Sequence, residues 1–181
     1  MCIRDREMPV PPPKEIFPEQ KNETDGEIAL ERMLSVAKEK AISEIEIYGG
    51  GGGREDHFLG NLHLLYRACM EGMPCSLVTN TSVLSAHRGK FTLKGIKGKT
   101  VSLLPFGGDA HIINNKGLFY PTDDLTLFYG CCRGISNVGT DENAEINCDR
   151  GVLLAAVNKE KDVKNHLFET SEGNPTHSAP L

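Results

Sequence analysis

The first periodic segment of the chain predicts an amphipathic helix. Thr24 and Glu27 stand at the two ends of an S/T-x-x-E capping box, a pattern that begins many helices. Apolar residues then recur at helical spacing, namely Leu30, Met33, Leu34 and Ala37. The pattern predicts a helix that runs from Thr24 to about Ala41.

A strand, a glycine run and a second helix are predicted next. Residues 43–48 alternate polar and apolar side chains as a strand does, and five glycines follow at 49–53. A helix ending near Gly72 is predicted by apolar residues at helical spacing, namely Phe58, Leu62, Leu65 and Cys69. Residues 75–79 predict another strand. This order is typical of one half of a parallel α/β sheet.

After Asn80 the helical period disappears and short apolar segments alternate with turn dipeptides. The predicted strands lie at residues 83–84, 91–93, 100–104, 111–113, 125–128 and 152–154. Regularly spaced short strands favour an antiparallel sandwich or barrel. We therefore place a domain boundary near residue 80.

The chain divides into four predicted regions. Prolines between positions 9 and 18 exclude a helix there, so residues 1–19 are predicted to be an extended leader. We hypothesise that residues 1–7 are foreign to the fold. Residues 20–80 are predicted as the α/β region and residues 81–157 as the β-sandwich. The polar residues 158–181 are predicted to be a flexible tail.

The net charge, the lengths of the apolar runs and the cysteine spacing limit which partners and which cell compartment the protein can have. The 181 residues include 20 Lys and Arg against 25 Asp and Glu, a net charge of -5, which argues against a nucleic acid or an anionic membrane as partner. No stretch approaches the roughly 18 consecutive apolar residues of a membrane span. The six cysteines contain no C-x-x-C pair and form no disulfide framework. We predict a cytoplasmic protein with free thiols.

The glycine run is the strongest candidate for a binding site. It lies between a predicted strand and a predicted helix, where backbone N–H groups and the helix N-terminus attract anions. Arg54 follows directly and adds a planar donor fork suited to phosphate oxygens. The alternative is a purely structural strand-to-helix turn with Asp56 as the N-cap. The residues by themselves leave both interpretations open.

Two carboxylates are candidates for metal binding or catalysis. Asp25 lies where the first helix begins and is able to coordinate a divalent ion, although acidic residues also favour first helical turns for electrostatic reasons. Asp25 and Asp56 should emerge at one edge of the sheet if both helices follow its strands. Further along, Ser136 and Asn137 would by themselves form a turn between strands.

Five segments, in this order, resemble the thiamine pyrophosphokinase (thiamine diphosphokinase) family. Residues 21–30 are similar to its K-D-x-T-D-x-E-x-A-L segment, and residues 52–61 to G-G-R-x-D-H-x-x-x-N. Residues 101–105 resemble V-S-L-x-P, residues 117–120 resemble G-L-x-Y/W, and residues 134–137 resemble G-x-S-N. The resemblance extends from about residue 20 to residue 157.

The resemblance implies a fold and a reaction. The implied fold is an α/β nucleotide-binding domain with a partial Rossmann-like parallel sheet, followed by an all-β, thiamine-binding sandwich. The implied protein is a homodimer with active sites between subunits, which transfers pyrophosphate from Mg-ATP to thiamine and releases AMP. The implied roles are Mg²⁺ binding and catalysis by Asp25, catalysis by Asp56, nucleotide binding by Gly51, Gly52, Gly53 and Arg54, and thiamine binding by Tyr120, Ser136 and Asn137.

Two departures from the family pattern qualify this expectation. Asn22 replaces an aspartate, and the family's upstream G-D-x-D-S, whose aspartates bind metal, has no match. The chain is therefore expected to be an N-terminally truncated member, with AMP release near background. A non-catalytic thiamine- or nucleotide-binding module of the same family is the alternative. An unrelated α/β protein with a purely structural glycine turn is a third.

Overall fold

The computed structural model describes residues 22–161. The N-terminal half of this part contains α1 (Asp25–Lys40), β1 (Ile45–Tyr48), α2 (Glu55–Met70) and β2 (Cys75–Val78). The remainder contains β3 (Ser82–Lys94), β4 (Lys99–Pro105), β5 (Ala110–Lys116), β6 (Leu125–Leu127), β7 (Asn137–Val138) and β8 (Asn143–Lys161). The fold is an α/β unit followed by a β-sandwich, as predicted.

Local sequence signals account for both ends of α1. The Thr24 hydroxyl accepts a hydrogen bond from the Glu27 backbone N–H at 3.2 Å, and the Glu27 carboxylate accepts one from the Thr24 N–H at 2.7 Å. This reciprocal pair satisfies two N–H groups that have no partner within the helix. At the other end Ala41 adopts the left-handed conformation, with φ of 53°. The predicted helix and its capping box are confirmed.

The start of α2 differs from the simplest expectation. The interpretation of Asp56 as the N-cap is wrong, because Arg54 occupies that position and Asp56 is the second helical residue. Arg54 makes no side-chain capping bond. Its guanidinium instead binds the Asp56 carboxylate, so the arginine and the carboxylate are both held above the helix N-terminus.

β1 and β2 form a parallel pair joined through α2, which confirms the predicted β-α-β order. β3 then turns back and pairs antiparallel with β2, and the sheet continues in the order β1-β2-β3-β8-β4-β7. β5 pairs with both β6 and β8. The α/β region and the β-sandwich region therefore share one hydrogen-bonded network of strands.

Two long, irregular strands build the sandwich. The first part of β3 pairs with the last part of β8, while residues after the irregularity between His87 and Gly89 pair with the first part of β8. The last part of β8 also pairs with β4, and its first part pairs with β5. Gly151 lies between these parts of β8 with φ of 84°, where an added Cβ would approach the Asp109 carbonyl oxygen to 2.2 Å. Only glycine fits such a bend without strain.

Successive residues of β8 face two different hydrophobic cores. Leu154 belongs to a core formed with both helices, whereas Leu153 belongs to a core within the sandwich. This alternation follows from the period of two in a strand. Each fully buried leucine contributes about 1.5–3 kcal/mol. The shared sheet is thus covered by apolar side chains on both faces.

The predicted boundary near residue 80 falls in the turn between β2 and β3, and the four-region division stays a prediction. β8 extends to Lys161, four residues beyond the predicted end of the sandwich. The predicted leader, 1–19, and most of the predicted tail lie outside the described residues. Within residues 22–161, no helix has the length and apolar character needed to cross a membrane.

Candidate functional site

An open cleft of about 920 Å³ lies where β1 ends and both helices begin. Its lining includes four of the residues predicted for nucleotide, metal or catalytic roles, namely Asp25, Gly52, Arg54 and Asp56. The expectation that Asp25 and Asp56 emerge at the same edge of the sheet agrees with this arrangement. A second cleft of about 410 Å³ adjoins the first and includes Gly51 and Gly53, while Gly52 and Arg54 line both.

The glycine turn has this sequence for steric reasons. Gly52 and Gly53 have φ of 88° and 98°, in the left-handed region that favours glycine. A Cβ on Gly50 would approach the Leu77 side chain to 2.5 Å. The Asn61 amide donates a hydrogen bond to the Gly50 carbonyl at 2.9 Å and ties the turn to α2. The turn is therefore held close to the sheet edge with little side-chain bulk.

Arg54 and Asp56 form a two-point ion pair at the mouth of the cleft. Arg54 Nη2 lies 2.5 Å from Asp56 Oδ2, and Arg54 Nε lies 3.1 Å from Asp56 Oδ1. The hydrogen bond from Arg54 lowers the pKa of Asp56, and the same bond raises the pKa of Arg54. Both groups are exposed, so they are charged at neutral pH and accessible to a ligand.

Asp25 is the first residue of α1, and helix capping does not require its side chain. Thr24 and Glu27 supply the capping bonds, and the bond from the Thr24 backbone N–H lowers the pKa of Glu27. Asp25 is exposed and borders the cleft. Asp25 nevertheless lies in the first turn of α1, where a carboxylate interacts favourably with the helix N-terminus, so its metal-binding role stays a prediction.

One face of α2 adds three residues to the cleft besides the predicted Asp56, namely Gly60, His63 and Arg67. Together with Asp56 they follow one another at intervals of four, three and four residues. That spacing places them along one side of a helix, so the signal was present in the sequence. Arg67 Nη2 lies 2.5 Å from the Glu31 carboxylate of α1, which links the two helices beside the cleft. The cleft therefore contains two arginines.

The three residues predicted to bind thiamine lie in the β-sandwich region and do not line the cleft within the described chain. Tyr120 is exposed, and its ring stands edge-on to Phe119. Ser136 is exposed with φ of 62°. Asn137 is buried, and its carboxamide bonds the Tyr120 backbone N–H and carbonyl, both at 2.9 Å. Asn137 therefore holds Tyr120 in place.

Two family models match consecutive parts of the chain. "Thiamin pyrophosphokinase, catalytic domain" matches residues 12–77, and "Thiamin pyrophosphokinase, vitamin B1 binding domain" matches residues 87–153. The chain belongs to the thiamine pyrophosphokinase family. The catalytic-domain match contains the glycine turn and both carboxylates, and the vitamin B1 match contains the three predicted thiamine-binding residues.

Curated and solved relatives agree with this membership. Thiamine pyrophosphokinase of Bacillus subtilis (strain 168) is 28% identical over 145 residues, which cover 79% of this chain and 66% of the relative. Thiamine pyrophosphokinase 1 of Oryza sativa subsp. japonica is 26% identical over 115 residues, which cover 60% of this chain and 42% of that relative. The crystal structure of the Bacillus subtilis thiamine pyrophosphokinase superposes with a TM-score of 0.68, at 27% identity, over 78% of this chain and 65% of that chain. The chain thus spans less than two thirds of these relatives.

The carboxylates at the cleft suit a divalent cation of the magnesium type. Mg²⁺ typically binds one or two protein carboxylates together with water and substrate phosphates. Asp25 and Asp56 border the same cleft and supply two such groups. Among the described residues, no group of three or more His, Cys, Asp or Glu side chains is placed to hold a metal ion. Asp25 and Asp56 are thus the carboxylates that could hold a divalent cation at this cleft.

Proposed function

We propose that this member of the thiamine pyrophosphokinase family acts as a thiamine diphosphokinase in the cytoplasm. The reaction would transfer the pyrophosphoryl group of Mg-ATP to the thiamine hydroxyl and yield thiamine diphosphate and AMP. The observation that carries the proposal is the shared cleft of Asp25, Gly52, Arg54 and Asp56 in a chain of this family. Such a transfer requires mainly that the reactants be positioned and their charge stabilised.

The glycine turn and Arg54 would hold the polyphosphate. The backbone of Gly51, Gly52 and Gly53 lines the two adjoining clefts. Because glycine has no side chain, phosphate oxygens could approach the backbone N–H groups there. Arg54 is bound to Asp56 in the structure, so an incoming phosphate would compete with that carboxylate for the guanidinium. The exchange would release Asp56 toward the metal or the thiamine hydroxyl. Phosphate binding and the freeing of a carboxylate are therefore coupled in this proposal.

Asp25, with Asp56 beside it, would hold Mg²⁺ through carboxylate oxygens. Bound Mg²⁺ would neutralise charge on the polyphosphate. Arg67 lies further along the same wall of the cleft and would add positive charge there. In this proposal the glycine turn and the side chains of α2 together would position the phosphates.

Tyr120, Ser136 and Asn137 would form the thiamine site. Tyr120 is 57% exposed and would offer its ring face to the cationic vitamin, an arrangement favourable to a cation–π contact. Ser136 would hydrogen-bond the pyrimidine, and Asn137 would orient Tyr120 through its two backbone bonds. In a homodimer, these residues of one subunit would complete the cleft of the other.

A non-catalytic thiamine- or nucleotide-binding module is the second candidate. It is favoured by residues 134–137, which resemble the family's G-x-S-N, while the family's metal-binding G-D-x-D-S has no match in the sequence. Calorimetry with thiamine and with Mg-ATP measures binding, and the release of AMP and thiamine diphosphate measures turnover. The two functions differ in turnover, since the enzyme predicts product release and the module predicts binding of thiamine or nucleotide without it.

The enzyme proposal predicts AMP and thiamine diphosphate in equal amounts, in contrast to the near-background AMP release expected from the unmatched G-D-x-D-S. Asp25→Asn should reduce the rate about 100-fold or more, because it removes a carboxylate that would hold the Mg²⁺ neutralising the polyphosphate. Glu39→Gln is the matched control, since Glu39 is exposed on the same helix and lies outside the cleft. Thiamine binding without turnover would favour the module, and binding of neither ligand would contradict both functions.

A further inference from the structure

Cys131 and Cys132 are adjacent, exposed and free of disulfide bonds. The other cysteines of the described chain, Cys69, Cys75 and Cys148, are buried. Two consecutive residues thus carry accessible thiols at the surface, and neither thiol has a role in the phosphate or thiamine sites proposed above.

The backbone holds the pair between two turns. The Cys131 N–H donates to the Phe128 carbonyl at 3.0 Å, and the Cys132 carbonyl accepts from the Ile135 N–H at 3.2 Å. The segment is also attached to the sandwich on both sides. The Tyr129 N–H donates to the Asp109 carboxylate at 2.8 Å, and the Gly134 carbonyl accepts from a β4 backbone N–H at 2.8 Å. The two thiols are therefore presented by a fixed loop.

The geometry of neighbouring residues selects the kind of ligand. Adjacent Cα atoms lie about 3.8 Å apart, whereas disulfides usually join Cα atoms about 4.4–6.8 Å apart. A direct S–S bond between Cys131 and Cys132 would thus be strained and easily reduced. Zinc needs about four ligands, and no group of three metal-binding side chains occurs in the described chain. A ligand that needs two sulfurs and inserts one atom between them fits better.

Three exposed hydrophobic side chains lie within three residues of the pair, which the charged Arg133 follows directly. Phe128, Tyr129 and Ile135 flank it in sequence and are 59%, 63% and 48% exposed. We propose that Cys131 and Cys132 form a two-thiol capture site for monosubstituted trivalent arsenicals, the thiophilic class that carries one organic group and two exchangeable oxygens. The flanking side chains offer apolar surface to that organic group.

The capture reaction is balanced and requires no oxidant. Two As–O bonds break, two As–S bonds form, and each thiol proton leaves with a hydroxyl as water, while arsenic remains trivalent. Once one thiol has reacted, the second is an intramolecular ligand at high effective concentration. Two linked contacts of this kind typically exceed a single contact by about 100- to 10,000-fold in affinity. Both cysteines are therefore required for tight capture.

The test uses the full chain, reduced and folded, with phenylarsine oxide as the probe. Intact-mass spectrometry should show one adduct per chain that survives excess glutathione, a monothiol, and is removed by 2,3-dimercaptopropanol, a dithiol. Cys131→Ser and Cys132→Ser should each weaken capture about 100-fold or more, so that glutathione strips the adduct. Circular dichroism checks that both variants remain folded.

Two controls locate the adduct. Cys148→Ser removes a buried thiol, and Cys2→Ser removes a thiol outside the described residues. Both variants should retain the wild-type adduct. A glutathione-resistant adduct in either Cys131→Ser or Cys132→Ser would overturn the proposal, as would its loss in Cys2→Ser or its absence from the wild type. None of these outcomes depends on whether the chain binds thiamine or ATP.

Discussion

His87 should make the stability of the fold fall in mildly acidic solution. Its ring stacks on Phe91 with centroids 4.2 Å apart and planes 6° apart, and its Nε2 lies 2.7 Å from the Ser85 hydroxyl oxygen. Burial lowers the pKa of His87 from 6.5 to about 4. Because burial penalises the charged ring, the folded state holds His87 neutral over a range in which the unfolded chain takes up a proton.

The size of the effect follows from the two pKa values. Each unit of pKa difference corresponds to 1.36 kcal/mol, so the shift in the pKa of His87 corresponds to about 3 kcal/mol. This stability is fully present above pH 6.5 and is lost as the pH falls toward 4, because the unfolded state binds the proton first. The free energy of unfolding of a typical domain is only about 5–15 kcal/mol, so this loss is a large part of it.

His87→Phe provides the perturbation, since it keeps an aromatic ring beside Phe91 and removes the titration. At pH 7 the variant should be less stable than the wild type by about 1 kcal/mol, because Ser85 loses its hydrogen-bond partner. At pH 4 it should be the more stable protein by about 2 kcal/mol, so the two stability curves cross.

Urea unfolding followed by circular dichroism between pH 4 and pH 7.5 measures both curves. His57→Gln is the control, because it removes an exposed histidine at the start of α2 and leaves the stack of His87 on Phe91 intact. Parallel curves for His87→Phe and the wild type would refute the argument, since they would mean that burial does not penalise the charged ring.

Three further changes test electrostatics, capping and packing. His111 Nδ1 lies 2.6 Å from the Asp149 carboxylate, and this hydrogen bond raises the pKa of His111. The resulting stabilisation is present below pH 6.5 and is lost as the pH rises through the raised pKa. His111→Gln should therefore lower the melting temperature more at pH 5.5 than at pH 9, and equal losses would contradict this. Thr24→Ala removes a capping bond and should cost about 1 kcal/mol in urea unfolding, whereas a wild-type midpoint would show that the cap is dispensable. Gly134→Ala would place a Cβ 1.8 Å from a β4 carbonyl oxygen and should lower the free energy of unfolding by about 3 kcal/mol. The matched Gly60→Ala lies in open space on α2 and should raise the free energy of unfolding by up to about 1 kcal/mol. Similar effects at both positions would count against the packing argument.

Signals that act within a few residues were readable from the sequence. The capping box of Thr24 and Glu27, the period of the helices and the glycine run all depend on neighbours close in the chain. The order of β1, α2 and β2 restricts the topology further, because parallel strands need a crossover between them. The α/β half of the fold and the place of the candidate cleft follow from these local features.

Long-range pairing explains what the sequence analysis missed. Residues 83–84 and 91–93 were predicted as separate strands, yet they belong to one strand, β3, that continues through an irregularity at His87 and Gly89. A glycine in the sequence indicates equally a turn between two strands or a bend within one strand, and the neighbouring residues alone do not distinguish the two. The Arg54–Asp56 ion pair differs, because it joins residues only two positions apart, and the capping preference of aspartate by itself does not predict it.

The continuous sheet also joins the cleft to the β-sandwich. β2 lies between β1, which ends at the cleft, and β3, which belongs to the sandwich. The core beneath the helices draws Leu64 and Leu65 from α2 but Leu154 from β8, so residues far along the chain support the wall of the cleft. Because Leu153 and Leu154 face opposite cores on the same strand, a displacement of β8 would act on both cores at once. The position of the residues proposed to bind phosphate therefore depends on the packing of the region that contains the proposed thiamine site.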